Sequence, residues 1–233
     1  MNITICTAHR NSVPHLPRYF AQIEGLQKLL TQRGDLLNLV IGCGDSTDGT
    51  EEWIFDHCAY SIGARLIDCT HGGRRFGSIV NDERFKQLAY VANKMWASIP
   101  ADSDVAMLVD GDLIWEPETL LALIDHTKTY PCVAPMVMME KMINAKGQLV
   151  HWYYDTYCHI CQGVNFTNKP PYHPALSGGM LEMDSVGACV AIRGELARRV
   201  RFPEYDVFIG WCRQVRELGA GIWMDCRLSV FHP

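Results

Sequence analysis

The chain has 233 residues, 48% of them hydrophobic, and a formal net charge of -5. That length and apolar content bury a sizeable core and fit one compact catalytic domain, while the acidic balance excludes a global electrostatic attraction to nucleic acid or to an anionic membrane face. The start, MNITICTAHR, lacks a basic leader ahead of a long apolar core, and no later apolar run approaches the roughly 20 residues of a membrane span, so the expectation is a soluble, cytoplasmic protein with no membrane span.

Strands and helices alternate along the first half. Ile3 to Thr7 reads as a strand, and Phe20, Ile23, Leu26, Leu29 and Leu30 recur at helical spacing up to Gly34. Leu36 to Ile41 is a continuous apolar run between Asp35 and Gly42, Thr50 to Ala59 predicts a short helix, and Arg65 to Cys69 a short strand. A longer helix over Asp82 to Ile99 places Phe85, Leu88, Ala92, Met95 and Ile99 on one face. The strand Val105 to Val109 then delivers the chain into Asp110-Gly111-Asp112, and Pro117 opens the next helix at a position where its missing N–H does no harm. This rhythm implies a mostly parallel sheet flanked by helices.

After a strand from Cys132 to Met138 the rhythm breaks. Residues 140 to 182 carry several Gly, Pro, Tyr and His without a sustained period, as a functional loop does. Trp152, Tyr153, Tyr154, Tyr157, Phe166, Tyr172 and His173 give that loop aromatic faces, suited either to stacking on sugar rings or bases or to packing on the sheet. Regularity returns with a strand from Val186 to Ile192, short helices around Glu195 to Val200 and Gly210 to Leu218, and a final strand from Gly221 to Phe231.

Of the ten cysteines, Cys6, Cys69, Cys132, Cys189 and Cys226 lie in apolar strand-like stretches and read as reduced core residues. Cys158, His159 and Cys161 have a zinc-compatible spacing but no second pair to complete a tetrahedral site. Asn2-Ile3-Thr4 and Asn165-Phe166-Thr167 match the N-glycosylation pattern, which without a secretory signal reads as accidental.

Two segments carry chemistry. Asp110-Gly111-Asp112 follows an apolar strand at the carboxyl edge of a parallel sheet, where open α/β folds bind ligands. Two carboxylates one residue apart reach a single hard cation, and the glycine between them leaves room for a ligand. The bland alternative is a pair of Asp residues that cap the next helix or bind water. Gly42 to Thr50, reading GCGDSTDGT, also follows a strand and suits a turn that meets a nucleoside, or equally an Asx-type turn with Thr50 as N-cap.

Asp45-Ser46-Thr47-Asp48-Gly49-Thr50 resembles the S-T-D-G-T turn of inverting GT-A glycosyltransferases, and it precedes the D-x-D motif by about the distance seen there. Ile5 to Asn11, Met183 to Cys189 and the closing Phe231-His232 are similar to blocks of the Anp1-like mannosyltransferases, in matching order over nearly the whole chain. The resemblance implies a GT-A fold, Rossmann-like and single-domain over residues 1–233, with a nucleotide-sugar half (1–112) and an acceptor half (113–233). It implies Thr7, Arg10 and Asp45 near the nucleoside, Asp110 near the ribose or metal, Gly111 beside the donor, and Asp112 as a direct metal ligand, with His232 completing the site. Arg74, Arg75, Arg84 and Lys86 cluster where such enzymes place a phosphate-facing base; Arg84 is the donor-binding candidate, against a merely solvated basic face.

The chain departs from the pattern at the catalytic carboxylate: Val207 and Phe208 stand where inverting relatives carry Glu-Asp ahead of Cys212. Asp206 is the nearest candidate base, beside Glu204, and Asp184 a candidate to orient the acceptor. The expected function is metal-dependent transfer of a hexosyl group, with Mn2+ or Mg2+, from a UDP- or GDP-sugar to a hydroxyl acceptor, whether glycan, lipid-linked sugar, protein or modified nucleobase. The alternatives are a nucleotidyltransferase, which usually has a Gly-rich basic loop after the first strand where Ala8 to Pro17 shows no G-x-G, and a degenerate sugar-binding module.

Overall fold

The computed structural model describes residues 1–61, 64–77, 79–143 and 146–233, except for the side chains of residues 58–61. In the first half, β1 (Asn2–His9), α1 (Leu16–Gln32), β2 (Leu36–Cys43), α2 (Thr50–Ser61), β3 (Arg65–Asp68), α3 (Asp82–Trp96), β4 (Val105–Val109) and α4 (Pro117–His126) alternate as the periodicities predict. The helix expected to reach Ile99 ends at Trp96.

Beyond β5 (Cys132–Met139) come two short hairpins, β6 (Met142–Ile143) with β7 (Leu149–Val150) and β8 (Ile160–Cys161) with β9 (Val164–Asn165). Next are β10 (Met180–Met183), β11 (Cys189–Arg193), α5 (Gly194–Ala197), α6 (Val207–Glu217) and β12 (Ile222–His232). The expected strand from Val186 to Ile192 is shifted to β11. Ala188, at φ 55°, turns the chain there, and its carbonyl accepts the Asp110 N–H at 2.8 Å.

One sheet of eight strands runs β10-β12-β5-β11-β4-β1-β2-β3. β4, β1, β2 and β3 are mutually parallel, β12 is parallel to β5, β11 runs antiparallel between β4 and β5, and β10 is antiparallel to β12.

Strand alternation sends side chains to two cores. Ile3, Ile5, Val105, Met107 and Val109 pack with Phe20, Ile23, Leu26, Leu120 and Leu123 of α1 and α4. Cys6, Ala106 and Leu108 pack on the other face with Phe85, Ala92 and Met95 of α3 and Trp211 and Val215 of α6. Because β4 is buried on both faces, it reads as an uninterrupted apolar run. Its carboxyl end, and the residues that follow it, emerge where the core gives way to cavities.

The aperiodic stretch is folded back on the sheet by short pairings. Met138 bridges Tyr153, Ile160 bridges Ser185, and Tyr154 N–H donates to Val137 O at 2.8 Å. The nine described cysteines are free. Among the described residues, no helix is long and apolar enough to cross a membrane.

Candidate active site at the carboxyl edge of the sheet

The D-x-D turn is fixed from three sides. Arg18 of α1 donates to Asp112 O at 2.6 Å, and Gln22 donates to Trp115 O. Ile114 and Phe231 exchange N–H···O bonds of 2.8 Å in both directions, which clips β12 onto the turn. Beneath it, a Cβ on Gly111 would come within 2.5 Å of Ala8 O and His9 Cε1, so only glycine fits so close to β1. Burial pushes the His9 imidazole down to about 4, which leaves it neutral near pH 7.

Clipping β12 to the turn brings His232 Nε2 to 3.2 Å from Asp112 Oδ2. Asp110, next to them, is pushed up to about 8 by burial and by the neighbouring Asp112 and Asp155 carboxylates. Asp112 itself stays below the ordinary carboxylate range: burial opposes its ionisation, but the His232 hydrogen bond prevails. The turn is therefore a place where negative charge is concentrated and partly suppressed. Among the described residues, no three His, Cys, Asp or Glu side chains stand in a ready-made metal-ligand arrangement, either here or around Cys158, His159 and Cys161.

A cavity of about 320 Å³ opens above the turn, lined by Arg10, Gly44, His71, Arg75, Arg84, Asp110, Gly111 and Asp112 among others. Its walls are loops tied to one another. Asp45, at φ 57°, accepts the N–H groups of His71 and Gly72 at 2.9 and 3.1 Å, and Arg10 donates to Asp45 O and Gly73 O at 3.2 and 2.7 Å. The His71 N–H above all holds the Asp45 carboxyl below its usual range.

Asp48 closes the expected Asx turn by accepting from the N–H and hydroxyl of Thr50, but Thr50, expected as N-cap, is the first residue of α2, and its hydroxyl accepts the Ser12 N–H at 2.7 Å. Gly44 lies against the backbone of Thr70, where a Cβ would come within 2.4 Å.

A second cavity, about 430 Å³, lies between α3, the folded-back segment and the start of α6. Trp152, Tyr154, Tyr157, Phe85 and Phe208 give it aromatic walls, and the acidic residues Asp155 and Asp206 also line it. The two cavities share Arg84, Leu88 and Asp110.

The residues named from the sequence fall into distinct places. Arg10, Arg84, Asp110, Gly111 and Asp112 line the first cavity, and His232 stands beside Asp112. Thr7 is fully buried below it, with its hydroxyl 3.3 Å from His9 Nε2, and Asp45 serves the wall from behind the lining. Asp206 lines the second cavity. Asp184 is in neither lining; its carboxylate is engaged by Arg216 at 3.1 Å and by the Gly163 N–H at 2.7 Å.

Sequence reasoning missed Asp155, which has no motif around it. The only local signal is its place among Tyr153, Tyr154 and Tyr157.

Compared by sequence, the chain matches no family model and no curated protein. Compared by structure, it is similar to mannosyltransferase PcManGT from Pyrobaculum calidifontis in complex with GDP-Man and Mn2+: 15% identity over 98% of this chain and 56% of that one, TM-score 0.58. It is also similar to S. aureus TarS 1-349 in complex with UDP-GlcNAc, at 14% identity, 96% and 56% coverage and TM-score 0.56. GalNAc-T7 with UDP, GalNAc and Mn2+ matches at 9% identity, 100% and 44% coverage and TM-score 0.55. At such identities the likeness is one of fold, and the fold is that of GT-A glycosyltransferases. The chain spans a little over half the length of the first two of these proteins, at 56% of each.

Proposed function

We propose that the chain transfers a hexosyl group from a nucleotide diphosphate sugar, a UDP- or GDP-sugar, to a hydroxyl acceptor, with manganese or magnesium at the D-x-D turn. The observation that carries this reading is the meeting of two cavities at Asp110 and Arg84, at the carboxyl edge of a GT-A sheet. One cavity is walled by cross-tied polar loops, as a nucleotide requires, and the other by aromatic rings with carboxylates among them, as an acceptor requires.

The donor set fits the metal. Asp110 and Asp112 offer carboxylate oxygens and His232 an imidazole nitrogen, a mixture suited to manganese and acceptable to magnesium. The crowding of negative charge that raises Asp110 is what a cation relieves. A divalent ion held there supplies positive charge to the diphosphate as it departs.

The chain's own residues do the rest. Arg10 is occupied with loop carbonyls and keeps the nucleotide cavity in shape. Arg84 lines both cavities, and we assign it to the charge that develops where donor and acceptor join. The aromatic walls of the second cavity exclude water around the reacting hydroxyl.

The test is hydrolysis of a panel of UDP- and GDP-sugars with and without manganese, in the wild type and in Asp112→Ala. Manganese-dependent turnover of one donor that disappears in the variant supports the proposal and identifies the sugar. No turnover together with no metal-dependent nucleotide binding would sink it in favour of a sugar-binding module.

A further inference from the structure

We infer that Asp155 is the catalytic residue that takes the acceptor's hydroxyl proton, and that the buried His159 is a positioning residue that holds its carboxylate in place; this rests on the transfer reading above.

Among the described residues, three acidic residues line the second cavity: Asp110, Asp155 and Asp206. Asp110 belongs to the D-x-D turn. Asp206 is committed to α6, with Oδ2 3.1 Å from Arg213 Nη2 and Oδ1 buried without a hydrogen-bond partner among the described residues. That buried oxygen faces Gly210 so closely that no Cβ would fit between them.

Asp155 is different. Its side chain, 11% exposed, lies on the cavity wall and is fixed by its neighbours: Oδ1 accepts the Cys158 N–H at 2.8 Å and Oδ2 faces His159 Nδ1 at 3.4 Å. On the remaining side, a Cβ at Gly187 would come within 2.7 Å of Oδ2, so the glycine leaves the space the carboxylate occupies. Burial opposes its ionisation, yet His159 and the Cys158 N–H keep it below the ordinary carboxylate range, so it stands ionised near pH 7.

His159 has no exposed surface and sits between the rings of Tyr153 and Phe166, with centroids 5.3 and 6.0 Å away. Neither of its ring nitrogens has a hydrogen-bond partner among the described residues, and the polar group facing Nδ1 is the Asp155 carboxylate 3.4 Å away. An apolar side chain would fill such a place without the cost of an unpaired buried nitrogen. The carboxylate that His159 faces accounts for an imidazole there.

In the step itself, the acceptor oxygen bonds to the anomeric carbon of the donor while its proton passes to Asp155. The bond from that carbon to the diphosphate oxygen breaks, and the nucleoside diphosphate leaves with the electron pair.

The experiment uses the donor that the wild type hydrolyses, with water as acceptor, and measures kcat, KM and calorimetric nucleotide affinity for Asp155→Asn, Asp206→Asn, His159→Phe and His159→Gln. Asp155→Asn is expected to lose about 10²–10⁴-fold in kcat with nucleotide affinity unchanged. His159→Phe is expected to lose about tenfold in kcat at unchanged KM, and His159→Gln, which keeps a donor for the carboxylate, to recover most of it.

A kcat for Asp155→Asn within about threefold of wild type, or a larger loss in Asp206→Asn, would overturn the assignment. If Asp155→Asn does not fold, Asp155→Glu is measured instead. A kcat loss above about tenfold with nucleotide affinity retained supports the inference, and a wild-type kcat overturns it. A wild type that turns over no donor overturns the transfer reading and this inference together, a failure visible before any variant is made.

Discussion

His232 Nε2 and Asp112 Oδ2 lie 3.2 Å apart, one at the end of the last strand and the other just past the central one. The backbone builds the contact through the paired N–H···O bonds of Ile114 and Phe231, and Tyr154 stacks on the His232 ring at 3.8 Å between centroids. If the pair helps hold a metal, His232→Ala weakens manganese-dependent donor turnover at least as much as loss of an outer-shell partner does, about 10–100-fold. Manganese titration of donor hydrolysis by wild type and variant measures this, and an unchanged manganese requirement would remove His232 from the site.

Gly111→Ala forces a Cβ to within 2.5 Å of Ala8 O and His9 Cε1. The expected cost is about 1–3 kcal/mol from overpacking, a fall of several degrees in Tm at roughly 2–4 °C per kcal/mol. Thermal denaturation checks it, and an unshifted Tm would mean that the turn stands farther from β1.

Among the described residues, Arg84 is the one cation shared by the two cavities. Arg84→Ala is expected to lower kcat for donor hydrolysis by about 10²-fold, as loss of a donor aimed at developing charge does. Arg84→Lys is expected to recover only part of that, because an ammonium cannot reproduce the guanidinium fork. Steady-state kinetics on both variants separates this role from a solvated surface charge, for which neither change matters.

Away from the site, Asp225 is buried and accepts from His126 Nε2 at 2.9 Å and from Arg227 Nε and Nη2 at 2.8 Å, pinning an irregularity of β12. Burial opposes its charge, but the Arg227 and His126 bonds hold its carboxyl below 3.8. Because the folded value lies below the unfolded one, the contribution to stability is complete above the unfolded value and is lost as pH falls through the folded one. Asp225→Asn is expected to cost about 1–3 kcal/mol near pH 7. In urea denaturation, the gap between wild type and variant narrows as pH falls below the ordinary carboxylate range and through the depressed folded value. A gap that does not change with pH would contradict the charged state assigned to Asp225.

Much of the fold is legible in the sequence, for a local reason. From β1 to α4 each strand is a short apolar run and each helix carries a one-sided apolar stripe, so Val105 to Val109 and Pro117 are found where expected. The second half is less legible because its order comes from distant pairings. The hairpins between β5 and β10 are strands of two residues each, too short to leave a period.

The same limit applies to the site. Asp110 and Asp112 stand out because strand and motif adjoin, whereas Asp155 has only the local Cys158 and His159 beside it, and Gly187, which makes room for its carboxylate, is brought there by folding. Asp184 shows the converse, since its block is similar to a family motif but its carboxylate turns to Arg216.

The most direct measurement of the central claim is calorimetric titration of wild type and Asp112→Ala with UDP and with GDP, each with and without manganese. One nucleotide is expected to bind the wild type in a manganese-dependent way, and this dependence to be lost in the variant. No binding of either nucleotide by the wild type with manganese present, or equal binding with and without the metal, would contradict it.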